Sequence, residues 1–148
     1  MHSPAPAPLG LPHRAPFVFV RELLRADPGK SAECAMCFDP GDPMFAGHFP
    51  GNPLVPGVIL TEALAQTAGI AAASGFAAEV VPLFLLSAIR SMKFLRAVRP
   101  GEELVLRAER LAQVGDLLQF QTTATVAGSV VAEGQLVLNI ASRGSAAS

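Results

Sequence analysis

One histidine and one carboxylate stand out in residues 47–66, GHFPGNPLVPGVILTEALAQ. His48 heads a loop stiffened by proline and glycine, and Glu62 interrupts an otherwise apolar stretch. Folding the segment needs neither, and both residue types are tools of proton transfer. Pro43, Pro50, Pro53 and Pro56 restrict the backbone around His48, and fixed geometry is what a positioned base requires. The stretch after Pro56 reads as a helix opening at Gly57 and Val58. The first amides of a helix have no intrahelical acceptor, and with the helix dipole they suit a developing oxyanion. Gly57 lets a ligand approach the backbone closely. A base, an acid and an oxyanion site together fit one reaction class. A proton leaves the carbon next to a carbonyl, amides stabilise the enolate, and a β-hydroxyl departs as water.

Plainer roles stand beside these. Glu62 could pair with an arginine or cap a backbone group, and His48 could bond a backbone carbonyl. His13, in LPHRAP, and His2 read as ordinary loop and tail histidines. On the helix, Glu62, Gln66 and Gly69 are spaced i, i+4 and i+7 and so share one face.

The elements that must position these groups are legible from pattern. Residues 17–26, FVFVRELLRA, read as a strand, Asp27-Pro-Gly-Lys30 as a turn, and 31–38 as a second strand. Between Asp39 and Gly57 stand five prolines and four glycines, which predicts a long loop without regular structure. The helix is expected over 57–74, about 27 Å at 1.5 Å per residue, with Gly75 as its stop. Strands follow over 83–96, 103–113, 117–126 and 130–140, with Pro100-Gly101, Gly115-Asp116 and 127–129 as turns. A helix this apolar hides its surface only if a sheet curls around it, which predicts an α+β fold with the helix as filling. Residues 1–12 are expected to form a disordered Pro/Ala-rich lead-in, 13–141 a single domain, and 142–148 a flexible tail.

Composition narrows the function. Of the 148 residues, 51% are apolar and 16% charged, a surplus of apolar surface that a subunit interface or a lipid-like ligand would cover. The net charge of −1 and the lack of Trp and Tyr argue against nucleic acid as a partner. The run from Leu54 to Ala78 carries Glu62, Gln66 and Thr67 near its centre and no basic flank, so it reads as a core helix and not a membrane span. Cys34 and Cys37 lie in a strand, with no second Cys/His pair to complete a zinc site. They read as two free, buried thiols in a reducing compartment. No phosphate-binding or dinucleotide-binding glycine motif, nucleophile elbow or metal-ligand cluster is present, so the expected chemistry takes no cofactor or metal. Without a secretion signal the expected location is the cytoplasm.

The stretch GHFPGNPLVPGVILTEALAQ closely resembles the signature of the FabZ-type 3-hydroxyacyl-[acyl-carrier-protein] dehydratases. LPHRAPFVFV, PMFAGHFPG and RAVRPGEEL extend the resemblance over roughly residues 11–140. It implies a hot-dog fold, a long helix wrapped by a curved antiparallel sheet of about six strands. It implies homodimers whose sheets join, often as trimers of dimers, with each active site built from the histidine of one subunit and the glutamate of the other. By position, His48 would be the base at Cα and Glu62 the group that protonates or orients the leaving hydroxyl. Gly57, with Val58, would polarise the thioester carbonyl, and Gln66 would hold Glu62. The implied reaction converts (3R)-3-hydroxyacyl thioesters on acyl carrier protein to trans-2-enoyl thioesters, in fatty-acid or related specialised lipid, polyketide or polyene biosynthesis. The sister family that also isomerises the double bond carries Asp at the position of Glu62, which favours plain dehydration. Arg90, Ala97, Val55 and the segment DPGDPMF depart from the usual pattern, which leaves the acyl substrate open and leans towards a specialised pathway. Lys93, Arg96 and Arg99 form a basic cluster that would steer an acidic carrier protein, or simply solvate a strand edge. A hot-dog thioesterase and a non-catalytic acyl-binding partner subunit are the competing readings.

Overall fold

The computed structural model describes residues 11–141. The expected lead-in and tail lie outside the described residues, except Leu11 and Pro12. Leu11 is buried in the core, so the packed part of the chain includes it and the expected boundary at residue 12 falls too late. Strand β1 (Glu22–Asp27) and β2 (Ser31–Cys37) precede a one-turn helix α1 (Met44–Gly47) and the long helix α2 (Gly57–Ala73). Strands β3 (Leu83–Phe94), β4 (Glu103–Val114), β5 (Leu117–Val126) and β6 (Ser129–Ala141) follow. All six pair antiparallel in one sheet, in the order β1-β2-β4-β5-β6-β3.

The alternation of β4 and β5 decides which face meets α2. Leu104, Leu106 and Ala108 of β4 and Leu118, Phe120, Thr122 and Ala124 of β5 point inward and are buried. Each fully buried leucine or phenylalanine contributes about 1.5–3 kcal/mol. A row of small residues crosses the sheet: Ala32, Ala108, Thr122 and Gly134 lie opposite one another across four strands. The facing helix is itself alanine-rich, with Ala63, Ala68, Ala71 and Ala72 buried. Twelve of its 17 residues are buried, so α2 is the core as much as it packs on one. Its buried hydroxyls are satisfied within the helix, Thr61 on the Gly57 carbonyl and Thr67 on that of Ala63. Among the described residues no helix is long and apolar enough to cross a membrane.

Two expectations about local structure are corrected. The apolar run Phe17–Val20 is not part of β1, which starts at Glu22. Phe19 and Val20 are buried, and the Phe19 amide bonds the Gln66 side chain on α2 in place of a neighbouring strand. The proline-rich loop is not free of regular structure, since Met44–Gly47 makes one helical turn, with the Met44 amide bonded to Asp42 Oδ1.

A bulge shapes the end of β3. The register with β6 shifts between Arg90 and Lys93, Ser91 adopts φ 53°, and the Met92 backbone presses on Gly134. A Cβ at Gly134 would stand 2.6 Å from Met92 Cα. Gly134→Ala is therefore expected to destabilise by about 1–3 kcal/mol, because backbone and not a flexible side chain must move. A thermal melt checks this; an unchanged midpoint would mean that the bulge has slack.

Candidate active site

His48 follows α1 directly. Its Nδ1 lies 3.0 Å from the Leu54 carbonyl oxygen, and the Leu54 amide donates back to the His48 carbonyl at 3.0 Å. A carbonyl oxygen only accepts, so the proton of this bond sits on Nδ1. In the neutral ring Nε2 then keeps the lone pair a base needs. The Phe49 ring stacks on the imidazole, centroids 4.0 Å apart. The Val55 amide bonds the Val98 carbonyl, and Arg99 Nη1 bonds Asn52 Oδ1, so the β3–β4 connection fastens the chain after His48 at two points.

Val55 leads into Pro56, which caps α2, and the Pro56 carbonyl accepts from the amides of Ile59 and Leu60. The amides of Gly57 and Val58 have no partner among the described residues. The Phe94 ring lies against Gly57, 3.1 Å from where a Cβ would be. Phe94 was not singled out from sequence, because only the bulge in β3 aims it at the helix start.

One turn further on, Glu62 is partly buried and Gln66 fully so. Gln66 Nε2 donates to Glu62 Oε2 at 3.1 Å and to the Phe17 carbonyl at 3.2 Å, while its Oε1 accepts from the Phe19 amide at 2.9 Å. The i, i+4 pair on the helix is therefore also the clamp that binds the N-terminal segment. Glu62, Gln66 and Gly69 line a cavity of about 250 Å³, whose remaining walls include Leu11, Phe17, Ala65, Phe84 and Leu138. Neither the arginine pairing nor the backbone cap considered for Glu62 is present among the described residues.

His13 corrects the reading of it as an ordinary loop histidine. Its Nε2 is 3.5 Å from Glu62 Oε2, and it lines the same cavity. The signal was there in the match of LPHRAPFVFV to the family pattern, but no local spacing tied residue 13 to residue 62. His48 is absent from the cavity wall, so within one chain the histidine loop and the Glu62 cavity are separate places.

The basic cluster is largely engaged. Arg96 forms a two-pronged pair with Glu102, both bonds 3.0 Å, and the Glu102 carboxyl is held below its usual range by Arg96 and then by the Arg99 amide. Lys93 is exposed, opposite Glu133 in register. Cys34 and Cys37 are free thiols, but only Cys34 is buried, where burial pushes it up to about 11 and keeps it an unreactive thiol; Cys37 is partly exposed at the end of β2.

Comparison with known proteins places this geometry among relatives. The family of ApeI-like proteins, described as ApeI dehydratase, matches residues 25–135. A 3-hydroxyacyl-[acyl-carrier-protein] dehydratase FabZ from Acetivibrio thermocellus is 44% identical over 128 residues, covering 85% of this chain and 86% of its own length. The FabZ of Thiobacillus denitrificans is 35% identical over 132 residues, covering 88% and 91%. Among solved structures, the dehydratase heterocomplex ApeI:P from Xenorhabdus doucetiae is similar with a TM-score of 0.77 at 20% identity, over 97% of this chain and 95% of that one. A hypothetical thioesterase with coenzyme A from Streptococcus pneumoniae has the same fold with a TM-score of 0.65 at 12% identity, over 82% and 85%.

Proposed function

This chain belongs to the hot-dog dehydratase family of the FabZ and ApeI-like proteins, and from that premise we propose that it removes water from (3R)-3-hydroxyacyl thioesters carried on acyl carrier protein. The product is the trans-2-enoyl thioester, in fatty-acid or a related specialised lipid, polyketide or polyene biosynthesis. The observation that carries the reading is an acid, Glu62, held by Gln66 on the wall of a cavity that Leu11, Phe17, Phe84 and Leu138 also line.

In the scheme, the thioester carbonyl lies at the start of α2 and accepts from the Gly57 and Val58 amides. His48 Nε2 takes a proton from C2, and the C–H electron pair moves into the enolate that the amides stabilise. The pair then forms the C2=C3 bond as the C3–O bond breaks, and Glu62 gives its proton to the departing hydroxyl. Water leaves, and His48 returns its proton through solvent to Glu62, so the enzyme is unchanged. No cofactor enters; the acyl chain is presented on the carrier's phosphopantetheine arm.

The separation of His48 from the Glu62 cavity supports a site completed by a second copy. Edge strand β3 is the surface for it. Over twelve residues it has one hydrogen-bonded neighbour among the described residues and exposes Leu85, Leu86, Ile89 and Phe94. Joined at β3, two sheets become continuous, which covers part of the apolar surplus; trimers of such dimers follow the family pattern. Lys93, Arg96 and Arg99 remain the proposed carrier contact, with Arg99 also bracing the His48 loop. The proposed place of action is the cytoplasm.

The test is incubation with carrier-bound 3-hydroxyacyl chains of graded length, followed by mass spectrometry of the acyl group. Loss of one water is expected. Free acid and carrier thiol would identify a thioesterase, and an untouched, bound acyl chain would identify a binding subunit. Gly69 tests the cavity in the same assay. A Cβ there meets nothing within 4 Å, so the position has room to begin a side chain, and Gly69→Leu extends one into the cavity that Gly69 lines. It should lower kcat/KM for the longest accepted chain by roughly tenfold or more and spare the shortest. A uniform loss at all lengths would show that the chain runs elsewhere.

A further inference from the structure

His13 belongs to the site, although the proton transfers above do not use it. Two nitrogen atoms from different elements converge on one oxygen of Glu62. Gln66 Nε2 stands 3.1 Å from Oε2, and His13 Nε2 stands 3.5 Å from that same atom. Oε1 has no protein partner among the described residues. The imidazole is held in place from several sides. It stacks on Phe17 at 6.1 Å between centroids, and Phe17 is tied by its carbonyl to Gln66. Arg14 Nη1 bonds the carbonyls of Leu11 and His13, and the Phe17 amide bonds the Arg14 carbonyl, which closes residues 11–17 into a tight turn. Leu11 anchors that turn in the core.

The other ring nitrogen makes the case sharper. Among the described residues, His13 Nδ1 is buried without a hydrogen-bond partner. An unmet buried polar atom costs stability, so a histidine kept only for folding would satisfy it or give way to an apolar residue. What the ring does contact is Glu62.

We propose that His13 is a positioning residue, which with Gln66 pins Oε2 of Glu62 and leaves Oε1 as the oxygen that meets the leaving hydroxyl. The hydroxyl clause rests on the dehydratase reading; the pinning of Glu62 does not. The N-terminal segment is then a working wall of the site, and the tightness of its turn sets the aim of the acid. Small displacements of a reacting group are costly, because a misplacement of about 1 Å loses up to about a hundredfold in rate.

The experiment uses the full chain with His13→Ala and His13→Gln, since the glutamine amide nitrogen reaches near the place of Nε2. His13→Ala should lower kcat by roughly ten- to a hundredfold with KM almost unchanged, and His13→Gln should recover most of the loss. Crystal structures of both variants should show the Glu62 carboxylate displaced in the first and restored in the second. A wild-type kcat in His13→Ala with Glu62 unmoved would overturn the inference, as would a glutamine variant no better than alanine. If the wild type dehydrates no 3-hydroxyacyl thioester, the reaction assignment fails by itself. The position of Glu62 in the two variants still decides the role of His13.

Discussion

Replacing His48 by alanine is expected to lower kcat by about 10² to 10⁴-fold, the range for loss of a general base, with the fold intact. The ring is held by Leu54 through Nδ1, and its Nε2 is the atom set apart for chemistry. Its removal frees one carbonyl acceptor in a partly buried loop, a loss on the order of 1 kcal/mol that the chain tolerates. Glu62→Gln should fall by a similar factor, since the amide keeps the volume and has no acidic proton to give. The double variant should be little worse than either single one, because base and acid act in one step. Carrier-bound 3-hydroxyacyl substrate and single-turnover kinetics measure all three. A His48→Ala enzyme within threefold of wild type would remove the histidine from the reaction.

Mixing the two dead variants should restore activity. His48→Ala and Glu62→Gln subunits, unfolded together and refolded as dimers, form mixed pairs in which one of the two composite sites keeps both intact groups. Random pairing in a two-fold dimer makes half the dimers mixed, so about a quarter of wild-type activity should return. The expectation follows from the cavity, which Glu62 lines and His48 does not. Were both groups of each site to come from one chain, each site in the mixture would still lack one of them, and no activity would return. The experiment therefore tests the shared site independently of the shape of the dimer.

Much of the candidate site was readable before any coordinates. His48 and Glu62 are conspicuous because their surroundings do not need them. The helical spacing of Glu62 and Gln66 puts them within reach on any straight helix, and the structure brings them to 3.1 Å. Helix α2 and five of the six strands fall within two residues of their expected bounds at each end, since turn residues and a switch of hydrophobic period mark both. The misreadings share a cause. Phe17–Val20 has strand composition, but its apolar side chains and its amide find their partners on α2, which no window of neighbouring residues contains. His13 looked idle for the same reason, because its partner is 49 positions away.

The sequence alone therefore determined the chemical inventory, the long buried helix, the alternation of the strands and the free amides at the helix start. Those properties depend on residue type and on spacings within one element. Tertiary structure decided which strand lies beside which, with β3 on β6 and β4 on β2, and so left β3 as an apolar edge. It set His13 against Glu62, turned Phe94 onto Gly57 through the bulge over Gly134, and kept His48 out of the Glu62 cavity. These placements come from packing between segments far apart in the chain, where the energy of the whole core selects one pairing over others that local pattern permits equally.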